Sequence, residues 1–318
     1  MTVNEIITQQ IIDRIEEAKR TGKTFNWVKP FGENACRYPV SYEQSRNYTG
    51  VNRLLLQPDE YMTMNKATEL GCTIRKGCHS NIVVYFNLIA DKDENGQPLL
   101  DDEGNEIKRG YLKYYRVFSR ADVLDKDGQN LPSKFPMPHY NHEEMEQQLR
   151  ETLLLFSMMF RKYCSEHNIE IQIIKDGTEA YFMPSKNIIR VPALENFNSV
   201  YSYISTIAHE AIHSTMIPLR RETGMSQEQY SKEELTAELG AAFVLQALGC
   251  YDDRPTSQRD NNIAYLDGWS SFLKDAKTEL VSASAKAQEA SDYILEYAKE
   301  YMKENEQQRN EIKQEEER

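Results

Sequence analysis

Long apolar runs are missing from this chain of 318 residues. No segment approaches the roughly 20 apolar residues that a membrane-spanning helix needs, so we expect no membrane partner. The first 22 residues mix acids with apolar residues at helical spacing, unlike the basic start and continuous apolar core of a signal peptide. Cysteines are also few, and their odd number, five, fits reduced thiols better than a disulfide framework. We therefore expect a cytoplasmic protein.

An overall excess of positive charge is absent as well. The formal net charge is −12, which argues against nonspecific nucleic-acid binding by the whole molecule. The charge is unevenly distributed, because residues 1–120 hold 17 Lys and Arg against 16 Asp and Glu, and seven of those acids lie in 91–108. Outside that acidic segment the front of the chain is basic, whereas the back is acidic. This asymmetry indicates two parts with different tasks.

The front of the chain is predicted to be a small α+β domain. Residues 3–20 carry apolar side chains at three- and four-residue steps, which is typical of an amphipathic helix. The runs "SNIVVYFNLIA" and "YLKYYRVFSRADV" favour strands, and the turn-rich segment between them predicts a long hairpin. The segment "DEYMTMNKATELG" is predicted to be a helix that ends at Gly71.

The back is predicted to be a mainly helical domain with a short β-sheet, so the whole chain belongs to the α+β class. Long helices are expected in "EEMEQQLRETLLLFSMMFRKYCSEHN" and "SKEELTAELGAAFVLQALG", and strands in "IEIQIIKDG" and "AYFMPSKNIIRVP". We place a first domain at 1–130, a proline-containing linker at 131–145, a second domain at 146–302 and a charged tail at 303–318.

The segment "AHEAIHS" matches the metal-binding pattern H-E-x-x-H. Positions i and i+4 lie on one face of a helix, so His209 and His213 can direct both imidazoles at one ion. Glu210 is rotated away but lies close to the open side of such an ion, where it can hold a water molecule. The predicted strand "NIIRVP" precedes this helix, as an edge strand of the substrate cleft does in zinc peptidases. The pattern predicts a metal site with Glu210 as the catalytic glutamate.

A catalytic zinc ion needs a third protein ligand and an open fourth position. The predicted helix "SKEELTAELGAAF" offers Glu234, 21 residues after His213, and Glu238 one turn later. We predict that Glu234 completes the ligand set with the two histidines. Glu238 is expected either to accept the outer N–H of a ligand histidine or to replace Glu234 as the ligand, and Glu233 is expected to be less well placed. This ligand set favours Zn²⁺, although another divalent ion also fits it.

Such a site supports hydrolysis of a peptide bond, which makes a protein or peptide substrate an expected partner. The ion lowers the pKa of a water molecule and polarises the substrate carbonyl, while Glu210 takes the water proton and delivers it to the leaving amine. A further donor to the developing oxyanion is expected. Tyr201, Tyr203 and Tyr230 are the nearby candidates, and the sequence does not choose among them.

The front of the chain concentrates aromatic and basic residues, in stretches such as "RNYTGVNRLLL". Single-stranded nucleic acid is bound by stacking of its bases on aromatic rings while cations follow its backbone. This pattern predicts single-stranded DNA as a partner, and the alternative is that the rings are core and the bases merely solvated. The candidate contact residues are Trp27, Phe31, Arg37, Tyr48, Arg53, Arg75 and Lys76.

Several segments together resemble the ArdC-type antirestriction proteins of plasmids and other mobile elements. In the front these segments are "NYTGVNRLLL", "RKGCHSNIVVYF" and "YYRVFSRADV". In the back they are "YFMPSKNIIRVPALENF", "HEAIHST", "EELTAELGAAF" and "YLDGWSSFLKDAKTELVSASAKAQEASDYI". The similarity covers most of residues 1–298 in the same order.

The resemblance implies an N-terminal domain that binds single-stranded DNA, a C-terminal zincin-like metallopeptidase domain, and protection of incoming mobile DNA from restriction. It implies that the metal ligands are His209, His213 and one glutamate of "EELTAEL", with Glu210 as the catalytic glutamate. In the front, "NWVKPF" has Phe31 where the family has the second tryptophan of a Trp-x-x-Pro-Trp motif, and the segment 91–108 is longer.

Two other functions remain open from the sequence. The protein could be a regulatory metallopeptidase that cleaves a protein partner, with the front as a protein-recognition module. It could also be a non-enzymatic protein that masks DNA and holds a structural metal. Replacement of Glu210 by glutamine separates these functions, because protection that persists without Glu210 does not need hydrolysis.

Overall fold

A computed structural model describes residues 1–22, 25–27, 37–91, 93–94, 97–101, 104–135, 142–221, 226–250 and 263–316. The helices in this part of the chain are α1 (Val3–Thr21), α2 (Val51–Leu55), α3 (Met64–Glu69), α4 (His142–Glu166), α5 (Val200–Ser214), α6 (Gln227–Leu248), α7 (Ile263–Asp275) and α8 (Glu279–Glu316). The strands are β1 (Val40–Ser41), β2 (Glu60–Met62), β3 (Thr73–Ile74), β4 (Asn81–Ala90), β5 (Lys108–Ser119), β6 (Val123–Leu124), β7 (Glu170–Ile174), β8 (Tyr181–Met183) and β9 (Ile188–Pro192). The mixed content confirms the predicted α+β class. None of the described helices is both long and apolar enough to span a membrane.

The front of the chain is built around one long hairpin, which confirms the prediction made from its two β-prone runs. β4 and β5 are antiparallel and pair over ten positions, from Asn81↔Val117 to Ala90↔Lys108. β2 pairs with β5 and β1 with β2, so the sheet order is β1-β2-β5-β4. The first helix also agrees with its prediction and ends at Gly22, which has a φ of 64° that glycine tolerates without strain.

The segment 59–71 was predicted to be a single helix, and this prediction is wrong for its first half. Tyr61 and Met62 form strand β2 and pair with β5, and helix α3 begins only at Met64. Pairing with the hairpin therefore outweighs the local preference for a helix. The end of the helix before Gly71 agrees with the prediction.

The back of the chain contains a three-stranded sheet with the order β7-β9-β8. β7 and β9 are parallel, whereas β8 and β9 are antiparallel. The predicted cleft strand "NIIRVP" is thus the central strand β9, whose Ile189 and Val191 are buried. β8, and not β9, is the edge strand on the side of the metal-binding motif.

The described residues form four hydrophobic clusters, and one of the two largest joins the front to the back. The main core lies between the β7-β9-β8 sheet and helices α4, α5, α6 and α8. In the second core, Ile7, Ile11 and Ile15 of α1 pack with Phe243 of α6 and Leu273 of α7. Burial of apolar surface is the main favourable contribution to folding. The two predicted domains are therefore packed against each other, and the boundary at residue 130 stays a prediction.

Part of the predicted linker is bound to the front sheet. The buried Glu60 carboxylate accepts hydrogen bonds from the Ser133 hydroxyl and from the backbone N–H groups of Lys134 and Phe135. Residues 136–141 lie outside the described residues, and residues 142–145, which were predicted to belong to the linker, form the start of helix α4. In the predicted tail, helix α8 continues to Glu316.

Candidate metal centre and nucleic-acid contacts

Helices α5 and α6 lie close together, and this contact determines the geometry of the candidate metal centre. A Cβ atom on Gly240 of α6 would lie only 2.8 Å from Cγ1 of Ile212 on α5. Small buried residues line the same contact, namely Ala208, Ala211, Ala237 and Ala241. Because α6 presents glycine and alanine here, with Gly240 against Ile212 of α5, α6 can bring its acidic residues next to the histidines of α5.

The structure brings together His209, His213 and Glu234, as their spacing in the sequence predicts. The Nε2 atoms of the two histidines are 3.1 Å apart. Glu234 Oε2 is 3.5 Å from His209 Nε2, and Glu234 Oε1 is 3.4 Å from His213 Nε2. All three side chains are partly buried. The donor atoms therefore converge on one point from two helices.

This donor set fits a tetrahedral divalent ion. Two ligand atoms bound to zinc at about 2.0–2.1 Å in tetrahedral geometry lie roughly 3.3–3.4 Å apart. The two histidine nitrogens are 3.1 Å apart, and each lies 3.4–3.5 Å from a different oxygen of Glu234, so every contact is close to that value. With one ligand atom taken from each residue, the three atoms lie within 4.8 Å of one another. Two imidazoles and a carboxylate are also the ligand types of hydrolytic zinc sites with an open fourth position.

Glu233 lies beside the outer nitrogen of His213, whereas Glu238 lies near the outer nitrogen of His209. Its Oε1 atom is 3.4 Å from His213 Nδ1 and 2.7 Å from Arg221 Nη2. Glu238 Oε1 lies 4.0 Å from His209 Nδ1, which exceeds hydrogen-bonding distance. A carboxylate on the outer nitrogen of a ligand histidine fixes its tautomer and orientation. Glu233, held by Arg221, can perform this role for His213. The sequence was interpreted as placing Glu233 less well than Glu238, and it gave no indication of Arg221.

Glu210 lies beside the three converging side chains and is held by the edge strand. It is 8% exposed, and its Oε2 atom accepts a 2.8 Å hydrogen bond from the backbone N–H of Phe182 on β8. Burial raises the pKa of its carboxyl, although the positive charges of His209 and His213 and the Phe182 hydrogen bond reduce the effect. A carboxylate with a raised pKa is better suited to accept a proton at neutral pH.

The histidines and Glu234 influence the protonation of one another. Burial lowers the pKa of His213, but its contacts with Glu233 and Glu234 outweigh burial and raise it to about 9. Burial raises the pKa of Glu234, but the contacts with His209 and His213 are stronger, and the net shift is downward. The cluster is therefore charged, and a proton on His213 competes with any metal ion.

Among the three tyrosines considered for the oxyanion, Tyr230 lies next to the cluster. Its hydroxyl interacts with Glu234, which raises the pKa of Tyr230, and its side chain is 59% exposed. Tyr201 and Tyr203 pack instead against the main hydrophobic core. The geometry thus favours Tyr230, from the first turns of α6, as the donor to a bound substrate.

Trp27 and Arg53 are core residues, which corrects the prediction that they contact DNA. Trp27 is 6% exposed and packs edge-to-face on Trp269, with ring centroids 5.5 Å apart. Arg53 is 3% exposed, and its guanidinium donates to Gln246 Oε1 and to the Phe243 carbonyl. Both side chains join the front to the back, and Trp27 is not open to a ligand. The front sequence alone could not reveal this, because the partners lie about 200 residues further along the chain.

The other predicted DNA contacts fall into separate places. Arg37 and Tyr48 line a crevice of about 530 Å³ between the front and helices α4, α6 and α8, and Arg53 forms part of its wall. Arg75 and Lys76 are exposed elsewhere, and Arg75 donates to the Asn130 side chain. Phe31 lies outside the described residues. Four of the seven predicted residues are thus accessible, as two separate pairs: Arg37 with Tyr48 in the crevice, and Arg75 with Lys76 on another surface.

Comparison with protein families agrees with this two-part architecture. Residues 1–118 match the N-terminal domain of anti-restriction factor ArdC, and residues 163–286 match a zincin-like metallopeptidase family. A metal-free crystal structure of the antirestriction ArdC protein from the R388 plasmid has a TM-score of 0.66 and 27% identity, and the match covers 94% of this chain and 99% of that one. A Mn(II)-bound structure of that ArdC protein has a TM-score of 0.58 and 25% identity, over 92% and 97% of the two chains.

Similar curated proteins include two named DNA primase TraC from Escherichia coli. They are 25% and 24% identical to 95% and 93% of this chain, which spans only 20% and 28% of their own lengths. An uncharacterised protein, y4eC of Sinorhizobium fredii (strain NBRC 101917 / NGR234), is 24% identical, and the match covers 98% of this chain and 95% of that protein.

The fold and the matches define the class: a protein with an ArdC-type N-terminal domain followed by a zincin-like domain. Within that class, the chain is an ArdC-like protein, as the resemblance in its sequence implied.

Proposed function

We propose that this protein is an antirestriction protein of a mobile element that acts in the cytoplasm, binds single-stranded DNA and carries a zinc-dependent peptidase-type site. The observation that carries the proposal is the convergence of His209, His213 and Glu234, with Glu210 beside them. The antirestriction role is supported by the likeness to the ArdC protein of the R388 plasmid, of which a Mn(II)-bound structure is known. Zinc is proposed as the metal because two imidazoles and one carboxylate suit it.

In the proposed reaction, His209, His213 and Glu234 hold a divalent ion, which supplies a Lewis acid and a water molecule of lowered pKa. Glu210 accepts a proton from that water and gives it to the leaving nitrogen of the cleaved peptide bond. The Phe182 N–H keeps the Glu210 carboxylate in position. Tyr230, next to Glu234, donates a hydrogen bond to the developing oxyanion.

The substrate of this site is proposed to be an extended peptide. β8 is an edge strand, and an exposed strand edge can pair with an extended chain through backbone hydrogen bonds. Because Phe182 of β8 contacts Glu210, a peptide paired with this edge would run past the catalytic carboxylate. This arrangement supports cleavage of a protein and gives no preference for a particular side chain.

Metal analysis of purified variants tests the proposed centre. We expect His209→Ala and His213→Ala to lose stoichiometric zinc, because each removes one of three ligands. The matched control is His79→Ala, since His79 is exposed and outside the ligand cluster. Full zinc occupancy in both the His209→Ala and His213→Ala proteins would overturn the proposed site. Zinc that is lost from these two proteins but retained by His79→Ala supports it.

A further inference from the structure

The stem of the β4–β5 hairpin is a positively charged and aromatic segment in an acidic protein. Residues 81–90 and 108–119 contain no Asp or Glu but contain four bases, whereas the whole chain has a net charge of −12. The same two strands carry six aromatic residues, which are Tyr85, Phe86, Tyr111, Tyr114, Tyr115 and Phe118. Neither the candidate metal centre nor the hydrophobic core accounts for this composition.

The strand register places three of these tyrosines and one of the bases on the same face of the hairpin. Directly paired residues of antiparallel strands point to the same side, and Tyr85 is paired with Lys113 while Asn87 is paired with Tyr111. Tyr115 lies two residues after Lys113 and contacts Tyr85, with ring centroids 5.9 Å apart. We call these five residues the tyrosine face.

The side chains of the tyrosine face form a connected and accessible row. Lys113 Nζ lies 5.0 Å from the centre of the Tyr111 ring, and Asn87 Nδ2 donates a 3.0 Å hydrogen bond to the Tyr111 hydroxyl. Tyr85 is 42% and Tyr115 37% exposed. Large rings that remain this accessible beside a cation are suited to bind a partner with flat faces and negative charge.

The two ends of the tyrosine face differ in charge. At the far end, residues 91–107 between the strands hold seven acids and one base, which repel a polyanion. At the near end, Tyr115 lies beside Tyr48 and contributes to its raised pKa, and Tyr48 also lines the crevice between front and back. The same crevice is lined by three bases, Arg37, Arg53 and Lys299, and by two acids, Glu151 and Asp292. Its excess of one positive charge makes the near end more favourable for a negatively charged chain than the acidic far end.

We propose that the tyrosine face is the surface that binds single-stranded DNA and that the strand continues past Tyr48 into the crevice. The proposal rests on the proposed function for its ligand and adds where that ligand lies. Unpaired bases stack on Tyr85, Tyr111 and Tyr115, and Lys113 lies near the phosphates. Duplex DNA does not fit this arrangement, because its base faces are hidden by stacking. Binding is expected to tolerate any sequence, since every base has a flat aromatic face.

The hairpin provides its own control, because alternate residues of β5 point to the opposite side. Tyr114 and Arg116 are exposed but lie on the face opposite to Tyr115 and Lys113. The test variant is Tyr85→Ser/Lys113→Gln and the control is Tyr114→Ser/Arg116→Gln. Both variants lose one ring and one positive charge, so general electrostatic effects are equal in the two. Tyr85→Phe keeps the ring and is expected to bind like the unchanged protein.

The affinity of the full-length proteins for a labelled oligothymidylate of about 16 nucleotides is measured by fluorescence anisotropy at several salt concentrations. Loss of one stacking ring and one cation is expected to weaken binding about tenfold or more in the test variant and less than about twofold in the control. Photocrosslinking of a halogenated oligonucleotide, followed by mass spectrometry, is expected to label Tyr85 or Tyr115.

The results test separately whether the protein binds single-stranded DNA and whether the tyrosine face is the surface that binds it. Absence of binding to single strands by the unchanged protein would overturn both. Binding by the unchanged protein with equal affinities of the test and control variants would overturn the tyrosine face alone and leave the function standing. Crosslinks confined to Arg75 and Lys76, or to other surfaces, would also overturn the assignment.

Discussion

At the scale of single residues, Glu210 is the group on which the proposed hydrolysis depends most directly. Replacement by glutamine keeps the shape of the side chain and an oxygen that can accept from the Phe182 N–H, but it removes the proton acceptor. We expect Glu210→Gln to retain the metal and to lose about 10²–10⁴-fold in hydrolysis of an unfolded protein such as casein. Glu195→Gln, at an exposed acid, is the matched control.

The same variant separates the proposed peptidase from a non-enzymatic DNA-masking protein. If the Glu210→Gln protein still protects incoming DNA from restriction in cells, hydrolysis is not needed for protection. If casein cleavage by the variant equals that of the unchanged protein, Glu210 is not the general base.

His213 makes metal binding dependent on pH. Its pKa is raised to about 9 by Glu233 and Glu234, so at pH 7 it is protonated until a metal ion displaces the proton. Metal uptake at pH 7 is therefore expected to release about one proton from this residue, and the apparent affinity is expected to rise with pH until about 9. Calorimetric titration in buffers with different ionisation enthalpies measures the released protons.

Proton release on metal uptake is expected because the pKa of His213 is raised and not lowered. A histidine with an ordinary pKa near 6.5 would be mostly neutral at pH 7 and would release little. Metal uptake without proton release at pH 7 would contradict the contacts of His213 with Glu233 and Glu234. Glu233→Gln removes one of the two acids, so the proton release should move to lower pH.

At the scale of secondary-structure elements, the contact between α5 and α6 is the most sensitive part of the fold. A methyl group on Gly240 would meet the buried Ile212 side chain at 2.8–3.0 Å, which forces the helices apart. We expect Gly240→Ala to lower the free energy of unfolding by about 1–3 kcal/mol and to weaken metal binding, because Glu234 lies on the displaced helix. Thermal unfolding and metal titration measure the two effects.

Gly268 of α7 is the matched control for this substitution. It is also helical, it is exposed, and a Cβ atom there meets nothing within 4 Å. Gly268→Ala should therefore be neutral or stabilising by about 0.5–1 kcal/mol. Equal stability of the two variants would show that α5 and α6 tolerate a larger separation.

The sequence predicts those features of the site that depend on local periodicity. The i, i+4 spacing of His209 and His213 needs only one helix, and the hairpin needs only two β-prone runs and the turns between them. The choice between Glu233 and Glu238 beside the histidines depends instead on how α6 is rotated against α5, which the packing of Gly240 on Ile212 determines. No local pattern encodes such a rotation.

The sequence does not predict the burial of Trp27 or the central position of β9, and the reason is similar. Both depend on partners that are remote in sequence, namely Trp269 for the tryptophan and β7 and β8 for the strand. The tyrosine face was missed because "YLKYY" places rings on both sides of β5, so its alternation becomes informative only after the pairing with β4 is known.

At the scale of the whole molecule, the front and the back share one core. Arg53 of the front is buried among groups of the back and donates to Gln246, Gln288 and the Phe243 carbonyl. Loss of such a donor leaves buried acceptors without a partner, which is costly. A fragment that ends at residue 130 would expose the apolar side of α1, so DNA binding is better measured on the full chain.

The tryptophans provide a direct measure of this shared core. The chain has two tryptophans, and Trp27 of the front and Trp269 of the back are in contact, so their emission reports on the joint between the two parts. We expect the shift in tryptophan emission and the loss of helical circular dichroism to occur at the same denaturant concentration, as in a single cooperative transition. In Trp269→Phe, Trp27 is the only reporter, and its emission shift should again occur at the same denaturant concentration as the loss of helical circular dichroism. An emission shift that precedes the loss of helix would instead mean that the front separates from the back before either unfolds, in which case the crevice beside Tyr48 can open without unfolding of the protein.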